Sequence, residues 1–351
     1  NSPILTFEVL FSSGIIKSLE EICVGSRDFS LYPYFYDRSM AWLETHLKLE
    51  SHATAFLLQG GGEIFNSKTE FRRLASSAGI PIATGQSCSS AHHLLAVVRD
   101  IQDETGIVML KQDFNSGGDG NSIITNRADV TSVPGAQHVY KFTDKYSLNK
   151  IVDDLWASQT GGKNTNLVAE VYHPSKHIYF SDYEVTSKKV EYLTHGEMRM
   201  EPLWVGFNIP GSLPTGMTAK LIDGSTKLSL LTQSLGYVGM INYDAVFKED
   251  GTPVFLEFNG RAGGTTHIHH VAKKLFGVDY MDTRHIITRN KVRCTHFYET
   301  LARLHDAGVL YDASTRIGLL VMTEDSERKG TMEYLIGALC VQDAKDIEAV
   351  V

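Results

Sequence analysis

The chain predicts a mixed α/β (α+β) fold built on more than one core. Three observations carry that expectation. At 351 residues it exceeds what one core usually serves, so two or three subdomains are expected. Apolar residues make up 42%, an ordinary share that supplies a sizeable interior. Short apolar runs of strand type also alternate with stretches whose apolar residues recur at helical spacing. The formal charge of −8, from 33 basic and 41 acidic side chains, argues against a general nucleic-acid binder, which would carry a basic surplus or clusters. A local basic site for a phosphorylated ligand stays open. No apolar run approaches membrane-span length and no signal peptide is apparent. The four cysteines, Cys23, Cys88, Cys294 and Cys340, form no CxxC pair, which favours reduced thiols in a cytoplasmic enzyme over a disulfide framework or a zinc site. The chain begins at Asn1 rather than Met, which leaves an upstream segment open.

Residues 1 to about 90 read as an α/β unit. Residues 53–58 (ATAFLL) suit a buried strand, and Gly60, Gly61 and Gly62 then suit a tight turn, their spacing matching neither nucleotide-binding fingerprint. Ser67 opens a helix, with Glu70 three residues on completing a capping box. Phe71, Leu74, Ala75 and Ala78 supply its apolar face, and Gly79-Ile80-Pro81 ends it. Lys68 sits in the first turn, where the helix dipole disfavours a cation. It is either a solvated surface lysine or one held there for a nucleotide phosphate. A second helix starts near 91 and runs through Leu94, Leu95, Val97 and Val98 to Ile101.

Residues 106–112 then form an apolar strand ending near Lys111, followed by a loop holding Asn115, Ser116, Gly117, Gly118 and Gly120. Such a loop can close over a triphosphate with its backbone N–H groups while Lys111 supplies a point charge. A mobile hairpin tip is the plainer alternative, and no Walker sequence follows. Residues 167–172 make another strand, and Ile178, Phe180 and Tyr183 begin its return. Glu170 and the backbone at Val171 and Tyr172, with His177 just beyond, form a candidate hinge for a flat heterocycle. An ordinary hairpin would look the same.

The most informative stretch is VFLEFNGRAGGTT, residues 254–266. Residues 254–256 form a short apolar strand, and Glu257 and Asn259 project from one side of it, since residues two apart in a strand share a face. Arg261 falls on that face as well and could pair with a phosphate or carboxylate. Gly263 and Gly264 let the backbone approach a ligand before the next helix. Upstream, residues 239–247 alternate like a strand, and Lys248-Glu249-Asp250-Gly251 reads as a hairpin turn. Pairing through that turn sets Asp244 beside Glu257. Two carboxylates gathered in a cleft repel unless a cation lies between them, and with the Asn259 amide oxygen they make a hard-donor set for Mg²⁺.

In this order, Lys68, Lys111 with its glycine loop, the Glu170 hinge, then Asp244 and Glu257-x-Asn259-x-Arg261 resemble the ATP-grasp superfamily of carboxylate–amine ligases over residues 65 to 270. The flanks, residues 1–65 and the tail from about 295, are similar in layout to peptide ligases of peptide-antibiotic biosynthesis, of the pheganomycin-ligase kind. The resemblance implies a pre-ATP-grasp α/β domain at 1–90, a small lid subdomain at 91–185, a core with the metal site at 186–290, and a segment at 291–351 that completes the core or forms a small extra domain. It implies ATP and one or two Mg²⁺ ions, or Mn²⁺ in their place, held by Asp244, Glu257 and Asn259. Lys68, Lys111, residues 115–120, the 170–172 hinge and His177 would bind the nucleotide, while Arg261, Lys111, Gly263 and Gly264 would serve the chemistry. Many relatives carry a basic residue at the position of Asn242, so a γ-phosphate contact here would come from Arg261 or Arg199.

The activity so implied is activation of a carboxylate as an acyl phosphate and its capture by an amine, in peptide or natural-product biosynthesis. Transfer to a carrier-protein thiol, phosphoryl transfer alone, and a nucleotide-binding module without chemistry remain alternatives, and so does a homodimer. Partners would be a small carboxylate and an amine or peptide, not nucleic acid or membrane. His267, His269 and His270 flank the apolar stripe Ile268, Val271, Ala272, Leu275 and Phe276, a pattern that favours substrate contact from the helix's first turn over a zinc cluster. The stretch 204–213 is either a wall of the substrate cleft or a packed loop.

Overall fold

The computed structural model describes residues 7–24, 29–49, 54–115, 117–162, 165–175 and 177–351. Among these residues, strands build two sheets. The smaller contains β1 (Gly85–Cys88), β2 (Ile107–Gln112), β3 (Asn121–Thr125), β4 (His138–Lys141) and β5 (Leu167–Val171). Their order is β1-β5-β2-β3-β4, antiparallel except where β3 meets β4. Helices Ala91–Thr105 and Lys145–Thr160 cover one face. Ser90 and Asp144 cap them by accepting from the N–H groups of His93 and Ser147, which meets donors the first turn leaves unpaired. Leu94, Val97, Val98, Leu148, Val152 and Leu155 pack there on Val108 and Leu110. Alternation along β2 turns Met109 and Lys111 to the other face, where a cavity lies.

The larger sheet contains β6 (Ile178–Val185), β7 (Val190–Met200), β8 (Trp204–Ile209), β9 (Gly239–Phe247), β10 (Pro253–Asn259), β11 (His285–Arg293), β12 (Gly318–Asp325) and β13 (Thr331–Ala338). Its order is β10-β9-β6-β7-β8-β11-β13-β12, all antiparallel. Leu221 and Leu228 of helix Thr215–Ser234, with Leu57, Phe65 and Phe71, pack on one face around Tyr183, Tyr243, Phe255 and Phe258. Helix Thr266–Phe276 packs on the other face against Phe180, Phe207 and Ile209. The two sheets meet across the cavity.

Three expectations change. Residues 55–58 are helical, not a strand: Thr54 Oγ1 accepts from the Leu57 N–H at 3.2 Å and starts the helix Ala55–Leu58. A four-residue apolar run fits one helical turn as well as a strand, and a capping threonine decides for the helix. Among the described residues up to Ser77 there are helices and no strand, so the region read as α/β is helical until β1. Strand β6, grouped by sequence with the lid, pairs with β7 and β9 in the larger sheet.

Candidate active site

The hairpin of β9 and β10 carries the centre of the site. Its turn closes with the Gly251 N–H on the Lys248 carbonyl at 2.9 Å, and Gly251 takes φ +74°, a left-handed conformation that glycine adopts without penalty. The register holds Phe255 opposite Ala245, then slips so that Glu257 faces Asp244 and Asn259 faces Asn242. Leu256 is the extra residue of this bulge. Without it, Glu257 would point with Tyr243 to the opposite face, because register shifts by one residue invert a strand's faces. The bulge also lets Phe255 and Phe258, three apart, enter the same core.

Asp244 is 8% exposed, and its Oδ1 is buried without a hydrogen-bond partner. Burial first, then the charge of Glu257, pushes the Asp244 carboxyl well above the usual carboxylate range. Burial pushes Glu257 upward too, but the Lys68 and Lys111 charges outweigh it and hold Glu257 low. The two carboxyls are thus pushed in opposite directions, Asp244 upward and Glu257 downward, as two like charges brought together require. A buried carboxylate oxygen with no partner, opposed to a second carboxylate, is the donor arrangement a hard divalent cation satisfies. Asn259 Oδ1 accepts from Arg261 Nη2 at 2.7 Å and keeps a second lone pair for a metal. Among the described residues no group of three or more His, Cys, Asp or Glu side chains could hold a metal ion. The candidate set thus rests on two carboxylates and one amide.

The cations arrive from helix Lys68–Ser77 and strand β2. Lys68 is 5% exposed; its ammonium lies 3.1 Å from Glu257 Oε2 and donates to the Asn115 carbonyl at 2.7 Å. Of the predicted capping box only half forms: Ser67 Oγ accepts from the Glu70 N–H at 3.1 Å, while the Glu70 carboxylate pairs with Arg73. Asp113, unremarked in the sequence, strengthens this helix start by accepting from Ser67 Oγ at 2.9 Å and the Thr69 N–H at 2.8 Å. A carboxylate at the positive end of the helix offsets the unfavourable lysine. Lys111 Nζ lies 2.6 Å from Glu170 Oε1, and Arg72 Nη1 lies 2.7 Å from Glu170 Oε2.

Glu170 is therefore a buried anion shared by two cations rather than a free hinge group. The Val171 and Tyr172 N–H groups are bonded to the Thr84 and Ile107 carbonyls at 2.8 and 3.4 Å, so the hinge faces the cavity with side-chain surface instead of those donors. Arg72, four residues after Lys68 on one helix face, was legible as a companion only by that spacing.

A cavity of about 260 Å³ lies between the sheets. Lys111, Glu170, Asp244, Glu257, Asn259 and Arg261 form its polar side, and Met109, Tyr172, Ile178, Met198, Trp204 and Phe207 its apolar side. Val171, Gly117, Gly118, Gly263 and Gly264 also border it. Lys68 reaches it through Glu257. Asn115 bonds Gln112 through its side chain at 2.6 Å, and Gly120 packs against both residues away from the cavity. Ser116 lies outside the described residues. His177 is absent from the lining; its Nδ1 sits 2.6 Å from Glu197 Oε1, and His173 borders the cavity in its place. Arg199 is committed to Glu348 at 2.6 and 3.0 Å, which leaves Arg261 as the arginine facing the cavity.

Beyond the metal candidates lies a polar chain the sequence did not disclose. Asn259 Nδ2 donates to Asn242 Oδ1 at 3.3 Å, Asn242 Nδ2 donates to Asp182 Oδ1 at 2.7 Å, and Thr265 Oγ1 donates to Asp182 Oδ2. Asp182 is buried, and burial pushes its carboxyl to about 6 against the hydrogen bonds of Thr265 and Asn242. The Gly263 N–H donates to Thr266 Oγ1 at 2.9 Å, so this N–H is satisfied within the loop rather than held for an oxyanion. Gly264 instead makes room: a Cβ there would meet the Trp204 ring at 3.0 Å. His267, His269 and His270 do not line the cavity; His269 Nδ1 bonds the Tyr280 hydroxyl at 3.0 Å.

No family model matches the sequence, and no curated protein matches it. Solved structures do. A synthetase of N5-carboxyaminoimidazole ribonucleotide in its ADP complex aligns at TM-score 0.63 and 13% identity, over 97% of this chain and 83% of that one. Biotin carboxylase from Campylobacter jejuni aligns at 0.65 and 11%, over 96% and 76%. An L-amino acid ligase from Bacillus licheniformis aligns at 0.58 and 12%, over 97% and 84%. At such identities the likeness is one of fold: this chain has the ATP-grasp fold.

Proposed function

We propose that the protein is an ATP-dependent ligase that activates a carboxylate as an acyl phosphate and joins it to an amine. The observation that carries this reading is the opposed pair Asp244 and Glu257, with Asp244 Oδ1 buried and unpartnered at the polar end of a cavity of about 260 Å³. The similar structures named above were solved with ADP or an ATP analogue in two cases, which supports ATP as the nucleotide here. Asp244, Glu257 and the Asn259 amide would hold Mg²⁺, which supplies charge neutralisation for the triphosphate oxygens when bound.

The chain's own residues do the rest. Lys111 lies on the cavity wall and Lys68 stands behind Glu257, so positive charge faces the phosphates from the lid side. Among the described residues Arg261 donates one N–H to Asn66 Oδ1 and one to Asn259 Oδ1, and it borders the cavity, where its planar fork suits an anionic substrate. A substrate carboxylate oxygen attacks the γ-phosphorus and ADP leaves. The amine nitrogen then attacks the acyl carbon, phosphate leaves with the C–O bond pair, and the nitrogen gives up its proton. Positioning and charge balance dominate such transfers. The loop 115–120, with Gly117 and Gly118 at φ +67° and +82°, would close the cavity against water.

Glu257→Gln removes one hard donor and one charge while keeping shape. Amine-dependent ADP release should fall at least ~100-fold, on the scale of lost electrostatic stabilisation, and hydroxylamine should no longer trap a hydroxamate. Turnover close to wild type would reject the metal assignment and the ligase reading with it.

A further inference from the structure

Asp182, Asn242 and Asn259 stand side by side on three adjacent strands. The register sets Asp182 of β6 opposite Asn242 of β9, and Asn242 opposite Asn259 of β10. Cross-strand neighbours on one face lie within side-chain reach, and hydrogen bonds join these three. Asp182 is buried and does not border the cavity, so the chemistry proposed above gives it no task.

The two ends of the chain fix its direction. Arg261 can only donate, and its Nη2 donates to Asn259 Oδ1 at 2.7 Å. A carboxylate only accepts, and Asp182 Oδ1 accepts from Asn242 Nδ2 at 2.7 Å. Both amides must then point the same way, with Asn259 Nδ2 donating to Asn242 Oδ1 at 3.3 Å. The contact of Asn259 Nδ2 with Glu257 Oε1, at 3.5 Å, is longer and weaker. This direction matters to a cation, because an amide oxygen has lone pairs to give and an NH2 group has none. Arg261 is also the residue assigned above to an anionic substrate. Once it turns to that substrate, the oxygen end of the Asn259 amide loses its anchor, and the nitrogen end is held through Asn242 by Asp182. The other oxygen of Asp182 accepts from Thr265 Oγ1, so one carboxylate ties down both ends of the stretch 259–265.

Resting on the metal assignment of the ligase reading, we propose that Asp182 is a positioning residue for the cation site. Acting through Asn242, it keeps the Asn259 amide turned so that its oxygen, not its NH2 group, is free for the metal.

Mn²⁺ binding to the ADP-saturated protein, read by electron paramagnetic resonance of the free ion, tests this without turnover. Asp182→Leu removes the acceptor for Asn242 and should weaken Mn²⁺ binding ~10-fold or more, the usual cost of losing a group that orients a ligand. Its affinity for ADP without metal should stay as in wild type. Asp182→Asn retains an oxygen for Asn242 and should bind Mn²⁺ as wild type does. In an Asn259→Asp background either oxygen serves the metal, so adding Asp182→Leu should bring no further loss. Should Asp182→Leu not fold, Asn242→Leu breaks the same chain one link on and carries the same expectations. A loss that persists undiminished in the Asn259→Asp background would mean that Asp182 acts by packing alone. Unchanged Mn²⁺ affinity in Asp182→Leu, or equal weakening in Asp182→Asn, would overturn the proposal as well. Failure of the metal assignment has a different signature: wild type with ADP takes up no more Mn²⁺ than ADP does by itself, and the proposal falls with it. A protein that shows the Asp182 effect on Mn²⁺ yet forms no hydroxamate with any acid keeps the positioning role and loses the ligase reading.

Discussion

Arg72 illustrates, at the scale of one residue, why charge near this cavity comes in sets. It donates to Glu170 at 2.7 Å and to the Ala83 and Gly85 carbonyls at 2.9 and 2.6 Å, and it is 8% exposed. Glu170 depends on it as much as on Lys111, because a buried carboxylate with too little neutralisation destabilises the fold. Arg72→Met should lower unfolding free energy by about 3–5 kcal/mol, as loss of one partner of a buried pair does. Adding Glu170→Gln to that variant should recover a large part of the loss, since the uncompensated anion is then gone. Urea midpoints for the two single variants and the double variant provide the check through a mutant cycle. Additive losses would mean that Arg72 acts through its carbonyl contacts alone. The role of Arg72 is thus to position Glu170, and through it Lys111, whose ammonium faces the cavity.

At the scale of elements, the sequence disclosed what depends on neighbouring residues and missed what depends on distant ones. The 239–259 hairpin was legible because alternation and a Lys-Glu-Asp-Gly turn are local signals, and it delivered Asp244 beside Glu257. The bulge at Leu256 was not legible: regular alternation would have grouped Glu257 with Phe255, and the slip answers a packing demand from Phe255 and Phe258 on the far face. Asp182 was missed for a related reason. On β6 it is a charge among buried residues, and its partners Asn242 and Thr265 lie 60 and 83 positions away. The strand at 53–58 failed because a four-residue apolar run carries no period, and the cap at Thr54 decided it.

Asp182 ties β6 to β9 and to the start of helix Thr266–Phe276, and this makes a pH prediction. Its folded pKa, about 6, stands above the ordinary 3.8. A raised acid favours the folded state while protonated, so its contribution is complete below about 3.8 and is lost as pH rises through about 6. Asn in its place cannot ionise; its amide oxygen still accepts from Asn242 Nδ2, while its NH2 must donate to Thr265 Oγ1, reversing the bond that the carboxylate accepts. The stability of Asp182→Asn relative to wild type should therefore rise between pH 4 and 7, by about 3 kcal/mol for a two-unit shift, and level off above. Denaturant midpoints at pH 4, 5, 6 and 7 measure it, and a gap that stays flat would show that Asp182 ionises like an exposed carboxylate.

For the whole molecule, the two sheets are joined near the site mainly through helix Lys68–Ser77. Ser67 and Thr69 hold Asp113, Lys68 holds the Asn115 carbonyl, Thr69 Oγ1 lies 2.7 Å from Ser87 Oγ, and Arg72 holds Glu170. At its far end the chain grips β10, where the Phe255 N–H donates to the Pro81 carbonyl at 2.9 Å. Lys111 crosses directly, with Nζ 3.4 Å from the Leu256 carbonyl. Apolar contact adds to these ties, with the Phe71 and Phe258 rings edge to face at 5.2 Å, and a ligand that touches both sheets adds to their joint stability. At a concentration 100-fold above its dissociation constant, Mg·ADP should stabilise the chain by about 2.7 kcal/mol. The gain should appear as slowed amide exchange in residues 113–120 and in β2 and β3 together, because closing one side of the cavity without the other leaves the loop free. Asp244→Asn weakens the proposed metal set without touching the smaller sheet, so ADP alone should protect it as in wild type while added Mg²⁺ brings no further protection. Exchange mass spectrometry with ADP, with Mg·ADP and with Mg²⁺ alone distinguishes the outcomes. Equal exchange at 113–120 in all three states would mean that the glycine loop takes no part in holding the nucleotide, and the closure assigned to it would fall.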